Sequence, residues 1–123
     1  MAIGIKYSTG PVENAIGFAD VPGISRTVFA KVLNNGSKRT RVTINLYRLN
    51  GKKTLISSQT LTLNPKSSSL AELFVANLLQ FEVQFIVRSQ NVLVSAWGKN
   101  KKGAPVAVHR FTQQEMTKSY ISL

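Results

Sequence analysis

Residues Gln80–Thr112 read QFEVQFIVRSQNVLVSAWGKNKKGAPVAVHRFT. Phe81, Val83, Phe85 and Val87 alternate with Glu82, Gln84 and Arg88, the period of two that marks a strand with one face in a core. Ser89-Gln90-Asn91 turns the chain, and Val92, Val94 and Ala96 then alternate with Leu93, Ser95 and Trp97. Asn100-Lys101-Lys102-Gly103 turns it again, and Val106, Val108 and Arg110 come next. No other part of the chain spaces so much apolar material so regularly. The reading is three successive strands at the centre of an all-β core.

The same pattern extends upstream. Arg26–Asn34 sets Val28, Ala30 and Val32 on one face, and Arg41–Leu49 sets Val42, Ile44 and Leu46 inward against Thr43, Asn45 and Tyr47. Asn34-Asn35-Gly36-Ser37 and Asn50-Gly51 are turn signals, because Asn and Gly tolerate positive φ; the second is a strong hairpin signal. Thr54–Leu63 and Ser67–Val75 read as two more strands parted by Asn64-Pro65. Ala76–Leu79 suits a single helical turn, Gln113–Met116 a short polar link, and Thr117–Leu123 a last strand at an edge. About eight strands, with turn signals every 8–12 residues or so, predict an antiparallel β-sandwich of jelly-roll or immunoglobulin-like Greek-key type. The Asn50-Gly51 and Gln90-Asn91 turns suit hairpins within one sheet.

The N-terminus is different in kind. Ile3, Ile5 and Tyr7 alternate with Gly4 and Lys6, but Ser8-Thr9-Gly10-Pro11, Gly17 and Pro22-Gly23 interrupt the next segment, leaving room for one short strand near Ile16–Ala19. The expected organisation is an extended arm over 1–11, a Gly/Pro-rich leader over 12–25 and a sandwich domain over 26–123.

A chain of 123 residues, 43% apolar and 17% charged, is one globular domain. No run of eighteen apolar residues is present, so no membrane span is expected. MAIGIKYSTG has no basic segment followed by an apolar one, so the reading is synthesis without a secretory leader. The expectation is a product made and retained in a cytosol, or one that leaves by a route not written in its sequence, a mother cell that dies around a spore being one such route.

The chemistry-bearing residues are few. There is no cysteine, which excludes disulfides, thiolate catalysis and cysteine-ligated metal. The acids Glu13, Asp20, Glu72, Glu82 and Glu115 are scattered, without the paired placement that glycosidase chemistry needs. His109 is the single histidine, with no nucleophile-elbow sequence near it, and reads as a surface or interface residue. No phosphate-cradling glycine loop and no calcium loop occur. The expectation is no catalytic residue, no cofactor and no metal.

Positive charge is plentiful: the net charge is +11. Lys38, Arg39 and Arg41 flank the first turn, Arg48, Lys52 and Lys53 the second, and Lys99, Lys101 and Lys102 the turn after Trp97. Such clusters suit a nucleic acid or another polyanion, with Tyr47 and Trp97 as candidate stacking rings. Loop-tip lysines also end, more plainly, as solvated charges that discourage edge pairing. The arm suggests a different activity. Ile3, Ile5 and Tyr7, on a Gly/Pro hinge, suit donation of a strand to a neighbouring subunit's sheet, and head-to-tail donation builds a helical filament. The plainer alternative is pairing of the arm within its own domain.

Two resemblances bear on this. AKVLNNGSKRTRVTINLYR at Ala30–Arg48 resembles bacterial immunoglobulin-like adhesion modules, over roughly Arg26–Ser89. Over most of the chain, LYRLNGKK, FEVQF and NVLVSAWGKNKKGAPVAVHRF resemble small sandwich proteins of spore-forming Firmicutes. That group is similar in size and layout to the endospore appendage pilins, jelly-roll subunits whose N-terminal connector reaches into a neighbour. Ala2–Tyr7 matches the connector in position. The resemblance implies a structural, self-assembling subunit of a spore or cell-surface filament, a homopolymer with an anchor or tip protein for partner. The departure is the missing cysteines, which cross-link those fibres; a polymer here would rest on strand complementation and packing.

Overall fold

In this computed structural model, residues 2–14 and 25–123 are described. Among them the chain forms ten strands: β1 (Ile3–Ser8), β2 (Val12–Glu13), β3 (Thr27–Asn34), β4 (Thr40–Arg48), β5 (Thr54–Leu63), β6 (Ser67–Phe74), β7 (Gln80–Val87), β8 (Val92–Lys99), β9 (Pro105–Thr112) and β10 (Thr117–Ser122). The larger sheet runs β10-β1-β7-β4-β5, with β2 beside β7 in line with β1; the smaller runs β6-β3-β8-β9. All pairing is antiparallel. The architecture is a β-sandwich, as the alternation predicts.

The core is where the inward residues of both sheets meet. Phe81, Val83, Phe85 and Val87 of β7 have no exposed surface, and neither do Val42 and Ile44 of β4 or Val92 and Ala96 of β8. Removing a Phe-sized side chain from water contributes about 2–3 kcal/mol, so the two β7 phenylalanines alone are worth a large share of a small domain's net stability.

Connectivity departs from the expected hairpins. Asn50-Gly51 does make a same-sheet hairpin, with Gly51 at φ +79° between β4 and β5. The Gln90-Asn91 turn instead carries the chain from β7 in the larger sheet to β8 in the smaller, and Asn34–Ser37 carries it from β3 to β4. The 80–112 stretch is therefore split between both sheets. The chain also crosses at β2–β3, β5–β6, β6–β7 and β9–β10, an interleaving of the jelly-roll kind. Turn chemistry fixes how sharply a chain bends, not which sheet receives the next strand; burial of Val87 and Val92 on facing sheets decides that here.

The arm also lies elsewhere than expected. β1 sits between β10 and β7, with Tyr7 opposite Phe85 and Ile5 opposite Val87. Ile5 and Tyr7 are buried in the common core, while Ile3 is 66% exposed. Residues 3–14 belong to the sandwich rather than to a connector and leader ahead of it. Asn14 fixes that end: its amide nitrogen donates to the carbonyls of Ser25, Val75 and Leu78, and its Oδ1 accepts the Ser25 N–H. The strand expected at Ile16–Ala19 lies outside the described residues. Ala76–Leu79 is a hydrogen-bonded turn, Leu78 N–H to Val75 carbonyl, and Gln113–Glu115 is one turn of 3₁₀ helix.

Candidate binding surfaces

The outer face of the smaller sheet is the most distinctive surface. Inward burial of Val28, Ala30 and Val32 leaves Phe29, Lys31 and Leu33 of β3 facing out. On β8, Leu93, Ser95, Trp97 and Lys99 do the same. The register sets Phe29 opposite Glu72 on one side and Trp97 on the other, and Trp97 opposite Arg110. At about 4.8 Å between strands, the row Phe29–Trp97–Arg110 spans about 10 Å. Two cations are held against the rings: Lys99 Nζ lies 4.2 Å from the Phe29 ring centre, and the Arg110 guanidinium 5.1 Å from that of Trp97. Leu70, Phe74 and Leu93, each at least 43% exposed, extend the apolar part of this face. Two grooves run along it. One of about 700 Å³ is lined by Lys31, Leu33, Leu70 and Leu93 among others, and one of about 200 Å³ by Phe29, Lys31, Trp97, Lys99 and Pro105.

The sequence-predicted basic clusters separate. Lys38 and Arg39 line a cleft of about 420 Å³ with Arg88, Ser89 and Asn91; Arg41 stands beside them on β4, exposed. The second and third clusters share the opposite end of the sandwich, on opposite flanks. In the second, Lys53 is committed: its Nζ is 2.8 Å from Glu82 Oε1 and 4.6 Å from the Tyr47 ring centre. Arg48 and Lys52 are exposed nearby, and Lys101 and Lys102 stand exposed at the β8–β9 turn. Of the nine predicted cations only Lys99 joins the aromatic face. Lys31, Arg110 and Phe29 were missed, although the outward set of β3 is the complement of its inward set. Arg88 was missed because only strand register brings it to Lys38.

Glu82 anchors a polar patch on the larger sheet. Ser8 Oγ donates to its Oε2 at 2.5 Å and Gln84 Nε2 at 3.0 Å. Burial pushes the carboxyl up, but hydrogen bonds from Lys53, Ser8 and Gln84 and the Lys53 charge outweigh it and hold Glu82 below its usual 4.5.

His109 is not a surface residue; it is 3% exposed. Its Nε2–H donates to the Glu13 carbonyl at 2.8 Å, and its Nδ1 is hydrogen-bonded to the Ser25 hydroxyl at 2.6 Å. Its ring meets Phe81 edge-on, centroids 5.9 Å apart. The cause of the reversal is a break in the β8–β9 ladder: Trp97 pairs with Arg110 but Lys99 with Pro105, so β9 carries three residues more than β8 over that step. Val108, which shares the parity of Val106 in the alternation, is 70% exposed, and His109 takes the inward place. Gly98 of β8 faces these extra residues, and a Cβ on it would fall 2.0 Å from Ser25 Oγ and 2.7 Å from His109 Cβ. Ser25 has no exposed surface, so the pair acts as a buried tie between β9, β2 and the start of β3. No cluster of three or more His, Asp or Glu occurs among the described residues, and no described helix is long and apolar enough to cross a membrane.

No protein-family model matches the chain, and no curated protein matches it. Its fold is similar to that in the crystal structure of Thermotoga maritima 1070, with a TM-score of 0.50 over 94% of this chain and 89% of that one, at 10% sequence identity. That likeness is one of fold alone.

Proposed function

We propose that this protein is a binding module for an anionic polymer chain, single-stranded nucleic acid above all, read by the outer face of the smaller sheet. The observation that carries it is the row Phe29–Trp97–Arg110 flanked by Lys31 and Lys99. Rings offer flat faces to bases, and cations offer charge to the backbone between them. Cation–ring contacts hold the long side chains near the sheet, so less rotamer freedom is lost when a ligand arrives. The net charge of +11 draws polyanions toward the surface.

Titration with a single-stranded oligonucleotide, a duplex and a poly(glycerol phosphate) chain tests this. The expected result is tightest binding to the single strand, with log K falling linearly in log salt. Trp97→Ala should weaken it by about 1–3 kcal/mol, and Lys31→Glu with Lys99→Glu should flatten the salt slope. Equal affinity for the poly(glycerol phosphate) would assign the ligand to a cell-surface polymer. Indifference to all three substitutions would sink the reading.

One observation favours a second reading, the filament subunit. β1 is paired along both sides, to β10 and β7, so the same residues supplied by a neighbouring copy would fill the same slot with the same contacts. In that reading Ile3, Ile5 and Tyr7 form the subunit joint and the filament is displayed on a spore or cell surface. Deletion of residues 1–10 decides it. A folded product that accepts an Ala2–Ser8 peptide supports exchange; an unfolded one that the peptide does not rescue confines β1 to its own core.

A further inference from the structure

Each sheet has two edges, and among the described residues the two on one flank are bare. β5 closes the larger sheet, β6 closes the smaller, and Asn64-Pro65-Lys66 joins them. β5 is the longest strand, with 10 residues, TLISSQTLTL. It holds no charged residue and no proline, in a chain with 16 Lys and Arg. Exposed edges are normally blunted by Lys, Pro, bulges or a covering segment, because their unpaired N–H and C=O groups template another strand. One such device is present, the register shift opposite Leu46/Tyr47, but it falls at the Leu55 end and leaves Ser57–Leu63 in regular register with β4. Leu55 and Ile56 are 52% and 45% exposed there.

We propose that β5 pairs antiparallel with β5 of a second copy of this chain, joining the two larger sheets into one. The strand's own pattern selects that partner. Lacking charge, it offers nothing to an acidic or a basic peptide beyond main-chain groups. A two-fold axis normal to the sheet keeps inward residues opposite inward ones, and a register centred on Gln59 sets Leu61 against Ser57 inside and Thr60 against Ser58 outside. No like charges meet within the strand, and the interface is self-complementary, so it closes as a dimer. At its rims Lys66 of one copy approaches Lys52 of the other. Added salt screens that repulsion and strengthens pairing, the opposite sign to polyanion binding.

The test is sedimentation of the full chain over a range of concentrations at low and high salt. A dimer that grows with both is expected. Ser58→Lys with Thr60→Lys should weaken it at least tenfold while the circular-dichroism melt stays unchanged. The chain has no cysteine, so Gln59→Cys gives a second readout: it should oxidise to a covalent dimer much faster than Thr117→Cys on β10. A monomer under all conditions overturns the proposal. So does a dimer indifferent to the two lysines, or one in which Thr117→Cys cross-links as fast.

Discussion

The two flanks of this sandwich solve the edge problem in opposite ways. On one, β9 begins with Pro105, carries Arg110 and is offset by the register break opposite Gly98; β10 carries Lys118, and the 3₁₀ turn between them sets Gln113 Oε1 on the Val94 N–H of β8 at 3.0 Å. On the other, β5 and β6 have between them one charged residue, Glu72. The guarded flank is also the one stapled from within, by Ser25 and His109. Guarding therefore comes with local irregularity, whereas the bare flank is regular from Ser57 to Leu63, past the one register shift at its Leu55 end, and available. One flank is built to end a sheet and the other is left able to continue it.

The hardest way to break the contrast is to remove the irregularity. Gly98→Ala places a methyl group where Ser25 Oγ and the His109 Cβ already are, and no flexible chain end is there to give way. The expected loss is about 3 kcal/mol, typical of overpacking plus a broken buried hydrogen bond, read as a clear drop in melting temperature. The equivalent insult on the bare flank, Ser58→Ala, should stay within about 0.5 kcal/mol, as exposed sites do. His109→Ala comes next, at about 2–3 kcal/mol: it removes the imidazole that bonds the Ser25 hydroxyl and the Glu13 carbonyl, and takes the ring from Phe81. His109→Gln, which can keep one of those bonds, should recover part of the loss. If His109→Ala melts like the parent, the staple is not what holds the guarded flank.

How much of this was legible beforehand depends on the physics each signal encodes. Alternation gave the inward residues of β4, β7 and β8 correctly, because burial of one face imposes a period of two. It failed at Val108 and His109, where β9 carries three residues more than β8 and parity reverses; the hint was Gly98 on the facing strand, since a glycine inside a strand marks a bulge or a close backbone approach. Turn residues gave the positions of the bends at Asn34–Ser37 and Gln90-Asn91 but not their destinations, since crossing between sheets is decided by pairing far away in sequence. The arm misled for a related reason. Gly10-Pro11 reads as a hinge, yet Gly10 at φ +68° only steps the chain from β1 to β2 along the same edge of β7. Of the candidate surface, Trp97 and Lys99 were legible as types; Phe29, Lys31 and Arg110 became a site only once register set them side by side.

A smaller effect sharpens the comparison from the centre of the larger sheet. Glu82 ties the β4–β5 hairpin to β7 through Lys53, which is half exposed. Because the folded protein holds Glu82 below 4.5, the carboxylate's contribution is present above that value and is lost as pH falls through the lowered one. Glu82→Gln should therefore cost less than about 1 kcal/mol at neutral pH and make acid unfolding less steep. If the acid limb is unchanged, the tie carries no stability.

The smallest change in stability should carry the largest change in behaviour. Thr62→Lys puts a charge on the exposed face of β5, and Lys118→Thr removes one from β10; each should alter folding free energy by no more than about 0.5 kcal/mol. Neither side chain packs in the core, so the difference lies in what the edges template. Thr62→Lys should slow the growth of light scattering on heating, since lysine on an edge repels an incoming strand. Lys118→Thr alone should change little, because the uncharged β5 edge of the same sheet already dominates the scattering. Only the paired exchange, Lys118→Thr with Thr62→Lys, separates charge from the other devices: if scattering then rises above that of Thr62→Lys alone, the guarded flank depended on its lysine, and the contrast between flanks is one of charge rather than of shape.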